Sequence, residues 1–396
     1  MSVSSNRVVW LLALASFAST SAVRVLDPAL PALAREFSIT TGQAADVVTV
    51  FAVAYGVMLF FYGPIGDRFG KYKTLSIATF ACALSSLVVA WSPTFEWLIG
   101  ARLFSAITGA AIVPLAMAWI GDHVPYEQRQ TTLAQFTIGS ILGITTGQVL
   151  GGVFTTTVGW RGAFYFLAVL YLLVGTLLWS QRSRATELIG QSIRLTHLYV
   201  PVLTVLKIHW ARLVLLTVLL EGALVFGVLS YVPSFLQQTH GINAALAGTI
   251  ASLFAAGAFV YVLRARWLIA RLGEIGMVRL GGVTLALCYA VYLYAPGWGW
   301  AVWASAFTGL GYYFIHAVLQ THATQMAPKL RATAVSLCSS CLMLGQAVGV
   351  ALGSIVADRL GIQWIFIGAM MLVPLLAIWF AHQVKRYKAV PGETYP

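Results

Sequence analysis

Apolar residues along this chain neither alternate, as a half-buried strand requires, nor mark a single helical stripe. They run on for about twenty residues at a time between short polar breaks. A hydrocarbon layer about 30 Å thick is crossed by roughly 20 helical residues. Segments of that kind fall at 8–33, 44–65, 74–92, 97–120, 131–154, 162–180, 210–235, 246–268, 276–295, 298–322, 333–356 and 363–381. Glycine lies inside these runs as well as between them, as in GSILGITTGQVLGG at 139–152, which predicts close helix packing in lipid; a β-barrel would show a period of two instead. The pattern therefore predicts an all-α polytopic membrane protein of twelve transmembrane helices.

Composition agrees. Charged residues make up 9% of 396 and hydrophobic ones 59%, with a mean hydropathy of +0.84, whereas a soluble domain is about 25% charged. A large soluble α-protein is excluded, because it would need far more polar surface. The formal charge of +12 forms no basic face or tail for nucleic acid; it reads as topology. With the N-terminus in the cytoplasm, 19 of the 24 Lys and Arg residues fall on that side, including Arg7, Arg184, Arg194 and Lys388. Only Arg35, Arg161 and Arg359 fall outside, and Arg24 and Arg102 lie within spans. That bias calls for an even number of spans with both termini cytoplasmic, in a cell membrane of the bacterial inner-membrane kind. The first 26 residues resemble a signal peptide, but the many spans that follow favour an uncleaved first helix.

The longest polar interval, 181–209, sits mid-chain and divides it into a first bundle (1–180), a cytoplasmic linker (181–209) and a second bundle with its tail (210–396). Within the linker, RLTHLYVPVLTVLKIHW suits a surface helix. A weak repeat supports the division: RQTTLA at 129–134 matches RATAVS at 331–336 at an offset of 202 residues, as do Gly147, Gly151 and Gly159 with Gly349, Gly353 and Gly361, while RFG at 68–70 matches RLG at 271–273 at 203. Repeated halves are common in secondary transporters. Cys82, Cys288, Cys338 and Cys341 all fall in apolar runs without metal-ligand spacing and read as buried thiols.

The stretch GPIGDRFGKYK, residues 63–73, resembles the loop signature between the second and third spans of the major facilitator superfamily, with Gly63, Asp67, Arg68, Gly70, Lys71 and Lys73 in the signature positions. The resemblance extends over the chain through its twelve-span layout and central loop, and implies the major facilitator fold of two pseudo-symmetric six-helix bundles. ARLFSAITGAAIVPLA, beginning at 101, resembles the family's fourth-span arginine motif and implies a proton-coupling role for Arg102. Gly143, Gly147, Gly151 and Gly152 resemble the glycine frame of the fifth-span antiporter motif, with Gln148 where proline is usual. LDPALPALAREF at 26–37 looks like the outer end of the first helix in drug and proton antiporters. The second copy of the loop signature, RARWLIARLGE at 264–274, has Ala270 in place of the aspartate, so the two halves are not expected to have equivalent gates.

Ionisable groups inside the spans carry the candidate chemistry. Arg24 and Asp27 are three apart and share a helical face, with Pro28 and Pro31 just beyond; a charge turned to lipid is costly, so both are expected to face a central crevice. An interfacial ion pair anchoring the helix is the other reading. Glu221 stands near mid-membrane with no basic residue within a turn. Desolvation favours the neutral carboxyl, as a proton carrier needs; a permanently protonated structural hydrogen bond is the alternative. Arg102 needs a carboxylate or aligned carbonyls, and Asp27 is its expected partner. Tyr55, Gln135, Gln148, His316 and Gln320, with Phe226, Tyr231 and Tyr312, are candidates for the substrate path or for interhelical bonds. Glu127, Arg129, Lys329 and Arg331 join the signature loop as candidate cytoplasmic-gate residues.

These readings lead to a proton-coupled transporter that exports a small amphipathic or cationic molecule by alternating access, with protons, the substrate and the bilayer as its partners. It is expected to act as a monomer and to use no metal, nucleotide or other cofactor; no GxxxxGK[ST] pattern is present. A symporter or facilitator importing a metabolite is the nearest rival, and a membrane receptor or scaffold the next. Catalysis by Asp122 and His123 lacks an accompanying nucleophile or metal-ligand spacing, so the protein is not expected to be an enzyme.

Overall fold

The computed structural model describes residues 3–182 and 199–389, and these are helical apart from short connections, with no strand among the described residues. Among the described residues, eleven stretches are long and apolar enough to cross a membrane. One of them, Ala244–Tyr294, is 51 residues long, about 76 Å at 1.5 Å per residue, which is more than twice the hydrocarbon thickness. Its helix breaks at Gly273, where φ is 60° and ψ 178°. The stretch therefore makes two crossings, and the total is the expected twelve.

The first half comprises α1 (Val3–Arg24), α2 (Leu30–Glu36), α3 (Thr41–Ala44), α4 (Asp46–Phe69), α5 (Lys71–Ala90), α6 (Phe95–Gly109), α7 (Ile112–His123), α8 (Tyr126–Thr157) and α9 (Trp160–Gln181). The second comprises α10 (Tyr199–Lys207), α11 (His209–Glu221), α12 (Val228–His240), α13 (Ala244–Ser252), α14 (Phe254–Tyr294), α15 (Gly299–Gln325), α16 (Arg331–Arg359) and α17 (Gln363–Ala389). Local chemistry explains the breaks within spans. Pro28 and Pro31 lack the N–H that would continue α1, so a short 3₁₀ turn, Asp27–Ala29, intervenes. Between α11 and α12 the chain takes a π-helical turn, Gly222–Gly227.

Two pairs of glycines take left-handed backbone in both halves: Gly70 (φ 90°) with Gly273 (φ 60°), and Gly159 (φ 88°) with Gly361 (φ 104°). A side chain is strained there, which is why these members of the sequence repeat are glycine. The same repeat governs packing. A Cβ at Gly143, Gly147 or Gly151 on α8 would run into the backbone of Phe17, Ser21 or Val25 on the first span, and one at Gly345 or Gly349 on α16 would meet Leu219 or Ala223. Gly152 differs from its neighbours: it faces Ala244 in the other half.

The halves meet through α4 against α16 and α8 against α13. Arg68, Lys71, Arg182, Arg271 and Arg331 sit at one end of the bundle, called here the basic end; the connections after α2, α5, α8, α12, α14 and α16 form the distal end. Hydrogen bonds close the distal end across the halves. Asp358 accepts from Thr40 Oγ1 at 2.7 Å and Gly42 N at 3.1 Å, Thr156 Oγ1 accepts from Ala245 N at 3.1 Å, and Gln237 Nε2 donates to Pro28 O at 3.0 Å. Of the linker, α10 packs on α11 and α16 through Val205, leaving Val200 and Leu203 exposed. Arg184 and Arg194 lie outside the described residues, as do the side chains of Glu127 and Lys388.

Candidate functional site

Near the distal end three charges lie buried together: Arg24, Asp27 and Arg102 are each 1% exposed or less. The i,i+3 spacing on the first span puts Arg24 Nη1 at 3.1 Å from Asp27 Oδ2. The same nitrogen reaches across to the second half, donating to Ser230 Oγ at 2.9 Å and, more distantly, to the Phe226 carbonyl at 3.5 Å. The guanidinium lies 4.7 Å over the Phe226 ring, a favourable cation–π geometry in a desolvated setting. The π turn explains the carbonyl. Widening the helix loosens regular bonding, and Phe226 O accepts from Ser230 Oγ at 3.2 Å as well as from Arg24.

Arg102 does not take Asp27 as its hydrogen-bonding partner, contrary to expectation. It donates to backbone, with Nη1 3.2 Å from Ala22 O and Nε 3.4 Å from Val47 O, and its guanidinium lies 4.1 Å over the Phe51 ring. The Ala22 carbonyl lies in the last turn of α1, the end of a helix that favours a cation, and the Val47 carbonyl at the start of α4 adds a second acceptor. Asp27 is thus shared electrostatically by two guanidiniums but bonded to one. Gln148 lies beside the Asp27 carboxylate without meeting hydrogen-bond geometry; Asp27 Oδ1, Gln148 Nε2, Arg24 Nη2 and Arg102 Nη2 are buried with no partner among the described residues.

Deeper in the second half, Glu221 has a partner that no local spacing reveals. His316 on α15, 95 residues away, places Nδ1 2.8 Å from Glu221 Oε2; both side chains are buried, and Glu221 Oε1 has no bond partner among the described residues. His316 stacks on Tyr312 at 4.7 Å, Tyr312 meets the edge of Phe226 at 5.0 Å, and Phe254 packs against both at 5.5 and 5.9 Å. A continuous series of contacts therefore runs from Asp27 through Arg24, Phe226, Tyr312 and His316 to Glu221, crossing from one half to the other.

The remaining candidates disperse. Tyr55 is buried and stacks on Phe51 at 5.7 Å. Tyr231 donates to Val350 O at 2.8 Å and packs its ring on Gly353, all inside the second half. Gln135 is half-buried and Gln320 exposed, neither in the charged series. In the signature loop Asp67 pairs with Lys71 at 3.1 Å, and Lys71 also bonds Asp122. These contacts lie within the first half. Arg68 lies over Phe69 at 5.1 Å, Gly63 has open space beside it, and Lys73, Lys329 and Arg331 are exposed. Arg129 donates to Val124 O at 3.4 Å. Asp122 goes to Lys71, and the His123 imidazole stacks on Trp119 at 4.4 Å.

Ser230, Phe254 and Asp358 are participants that motif reading passes over. The repeat held a signal for the neighbourhood of Ser230, because Arg24 also meets Phe226, 202 residues on, the offset that relates the halves. Positions equivalent under an approximate two-fold axis meet where they approach that axis.

Comparison with known proteins gives the same architecture. The family model for the Major Facilitator Superfamily matches residues 12–337. Multidrug export protein EmrB of Haemophilus influenzae is 26% identical over 46% of this chain and 36% of its own. Citrate exporter 1 of Aspergillus niger is 28% identical over 41% and 31%. The matched region is thus about a third of the length of these curated relatives. A bacterial homologue of the human lysosomal transporter Spinster, solved in an inward-facing and unoccupied conformation, superposes with a TM-score of 0.79 at 16% identity, covering 99% of this chain and 100% of that one; at that identity the likeness is one of fold. The chain belongs to the Major Facilitator Superfamily.

Proposed function

We propose that this protein is a proton-coupled secondary transporter that exports a small amphipathic molecule by alternating access between two six-helix bundles. The observation carrying the proposal is the contact series from Asp27 to Glu221. It sets two carboxyls, each with one oxygen unbonded among the described residues, on either side of the boundary between halves. A rocking motion that parts the distal end would strip Arg24 of Ser230 and Phe226 and open the series to water. The Glu221–His316 pair would then exchange its proton with the newly accessible side, while Asp27 and Arg102 respond to what Arg24 binds. The basic end faces the cytoplasm with both termini, following the distribution of Lys and Arg, in a bacterial inner membrane, and the unit is a monomer. The basic-end gate comprises Gly63, Asp67, Arg68, Gly70, Lys71 and Lys73 with Glu127, Arg129, Lys329 and Arg331, its acid released from Lys71 when that end closes.

Export is the direction supported by the names of two relatives, a multidrug export protein and a citrate exporter. One observation favours a second reading, symport. Asp27 is bonded to Arg24 alone, so a substrate that takes Arg24 leaves Asp27 to pick up a proton, and the two would travel together. Proteoliposomes with an imposed pH gradient decide. Export coupling predicts substrate movement opposite to protons and its loss in Glu221→Gln. Movement in the same direction selects symport, and substrate flux unaffected by the gradient defeats both.

A further inference from the structure

The buried charges at the distal end do not balance. Arg24 and Arg102 contribute two positive charges and Asp27 one negative, all at 1% exposure or less. Burying a net charge is costly unless something neutralises it. The unbonded atoms point the same way: Gln148 lies beside the Asp27 carboxylate, which leaves Arg24 Nη2 and Arg102 Nη2 as donors without an acceptor among the described residues. Glu221 is not hydrogen-bonded to either guanidinium; its carboxyl bonds His316.

We propose that Arg24 binds a carboxylate on the substrate, whose flat apolar body lies against Phe226 and Tyr312, so that the transported class is an aromatic carboxylate and not a cation. This rests on the reading of the cluster as the transport site. A guanidinium receives a carboxylate through two parallel N–H bonds. Arg24 has Nη2 free for one, and Nη1 gains freedom for the other when the halves part, because two of its bonds, to Ser230 and to the Phe226 carbonyl, cross between them. Phe226 already offers its face to a planar cation at 4.7 Å and its neighbourhood to Tyr312 at 5.0 Å. An aromatic acid anchored on Arg24 meets those rings directly. Asp27 competes with it: both seek the same guanidinium, so a bound carboxylate displaces Asp27.

That competition supplies a test in which structural damage and binding have opposite signs. Purified full-length protein is titrated with 2-naphthoate, 2-naphthamide and 2-naphthylmethylammonium, with ligand-induced thermal stabilisation as the readout. The expected order is naphthoate first, with the other two at least about tenfold weaker, as loss of a charge-assisted pair implies. Arg24→Gln should weaken naphthoate by about tenfold or more and Arg24→Lys by less. Asp27→Asn, which frees Arg24, should tighten it. Should Arg24→Gln fail to fold, the Asp27→Asn result stands alone. Equal binding of the three probes, preference for the ammonium, or Asp27→Asn that fails to tighten naphthoate overturns the proposal. Gradient-driven movement of the ammonium probe without the carboxylate would sink the anion site and leave the transporter intact. Arg24-dependent binding of naphthoate with no movement would do the reverse.

Discussion

The pairs α1/α8 and α11/α16 are built on one plan and diverge where the chemistry begins. In both, glycines four apart on the later helix let its backbone lie against the earlier one. At equivalent depth the first half carries Ser19, whose hydroxyl donates to Gly109 O at 3.1 Å, and the second carries Glu221, bonded to His316 at 2.8 Å. Each side chain reaches the fourth span of its own half, one as a neutral hydroxyl and the other as an acid with a titratable partner. Beyond that point the first half breaks at prolines and gathers Arg24, Asp27 and Arg102, while the second widens into a π turn and presents Phe226 and Ser230 to them. Close packing is repeated because both halves need it; ionisable groups are not repeated, because each adds a desolvation cost. The halves therefore carry different chemistry: the first two buried arginines with one aspartate, the second a hydrogen-bonded carboxyl and imidazole.

Substitutions can break this comparison at each level. Gly147→Leu and Gly349→Leu should both abolish the folded protein, since the neighbouring backbone cannot retreat; overpacking of this kind costs upward of about 3 kcal/mol. Size-exclusion profiles in detergent check this, and tolerance at either position would show that the two interfaces are not equivalent. Arg24→Gln leaves Asp27 buried without its cation and should destabilise by about 3–5 kcal/mol, read as a lower unfolding temperature that the double change with Asp27→Asn largely restores. Glu221→Gln should cost only about 1–2 kcal/mol yet abolish substrate-driven proton flux in proteoliposomes, whereas Ser19→Ala keeps it. At the distal closure Asp358→Asn should weaken the bonds to Thr40 and Gly42 by about 1–2 kcal/mol, widening distances between spin labels placed on α3 and the end of α16. Thr156→Ala, the counterpart closure against Ala245, should shift them by less, about 0.5–1 kcal/mol.

Local pattern made most of the fold legible. Span lengths follow from hydropathy and bilayer thickness, and the repeated glycines Gly70, Gly159, Gly273 and Gly361 fall at positive φ, which strains a side chain. Within the site, Arg24 with Asp27 was readable because only three residues of chain separate them, although α1 ends at Arg24 and Asp27 begins the 3₁₀ turn. Glu221 with His316 was not, although both were singled out, because 95 residues separate them and only tertiary packing joins them. Arg102 misled for a related reason: a sequence displays carboxylates but conceals which helix carbonyls a proline break or an adjoining helix turns inward. The Asp358 closure escaped notice because its partners, 316 and 318 residues away, are a backbone N–H and a hydroxyl, neither conspicuous in a motif.

Access of water to the boundary between the halves, from each side in turn, is the central claim, and Ser230 marks that boundary. In a variant with the four native cysteines replaced and Ser230→Cys introduced, labelling by a membrane-impermeant maleimide is measured in right-side-out and inside-out vesicles. The account predicts modification from both sides, with Asp358→Asn raising the rate from the distal side. Modification from neither side, or from one side only whatever the state of the distal closure, would contradict it.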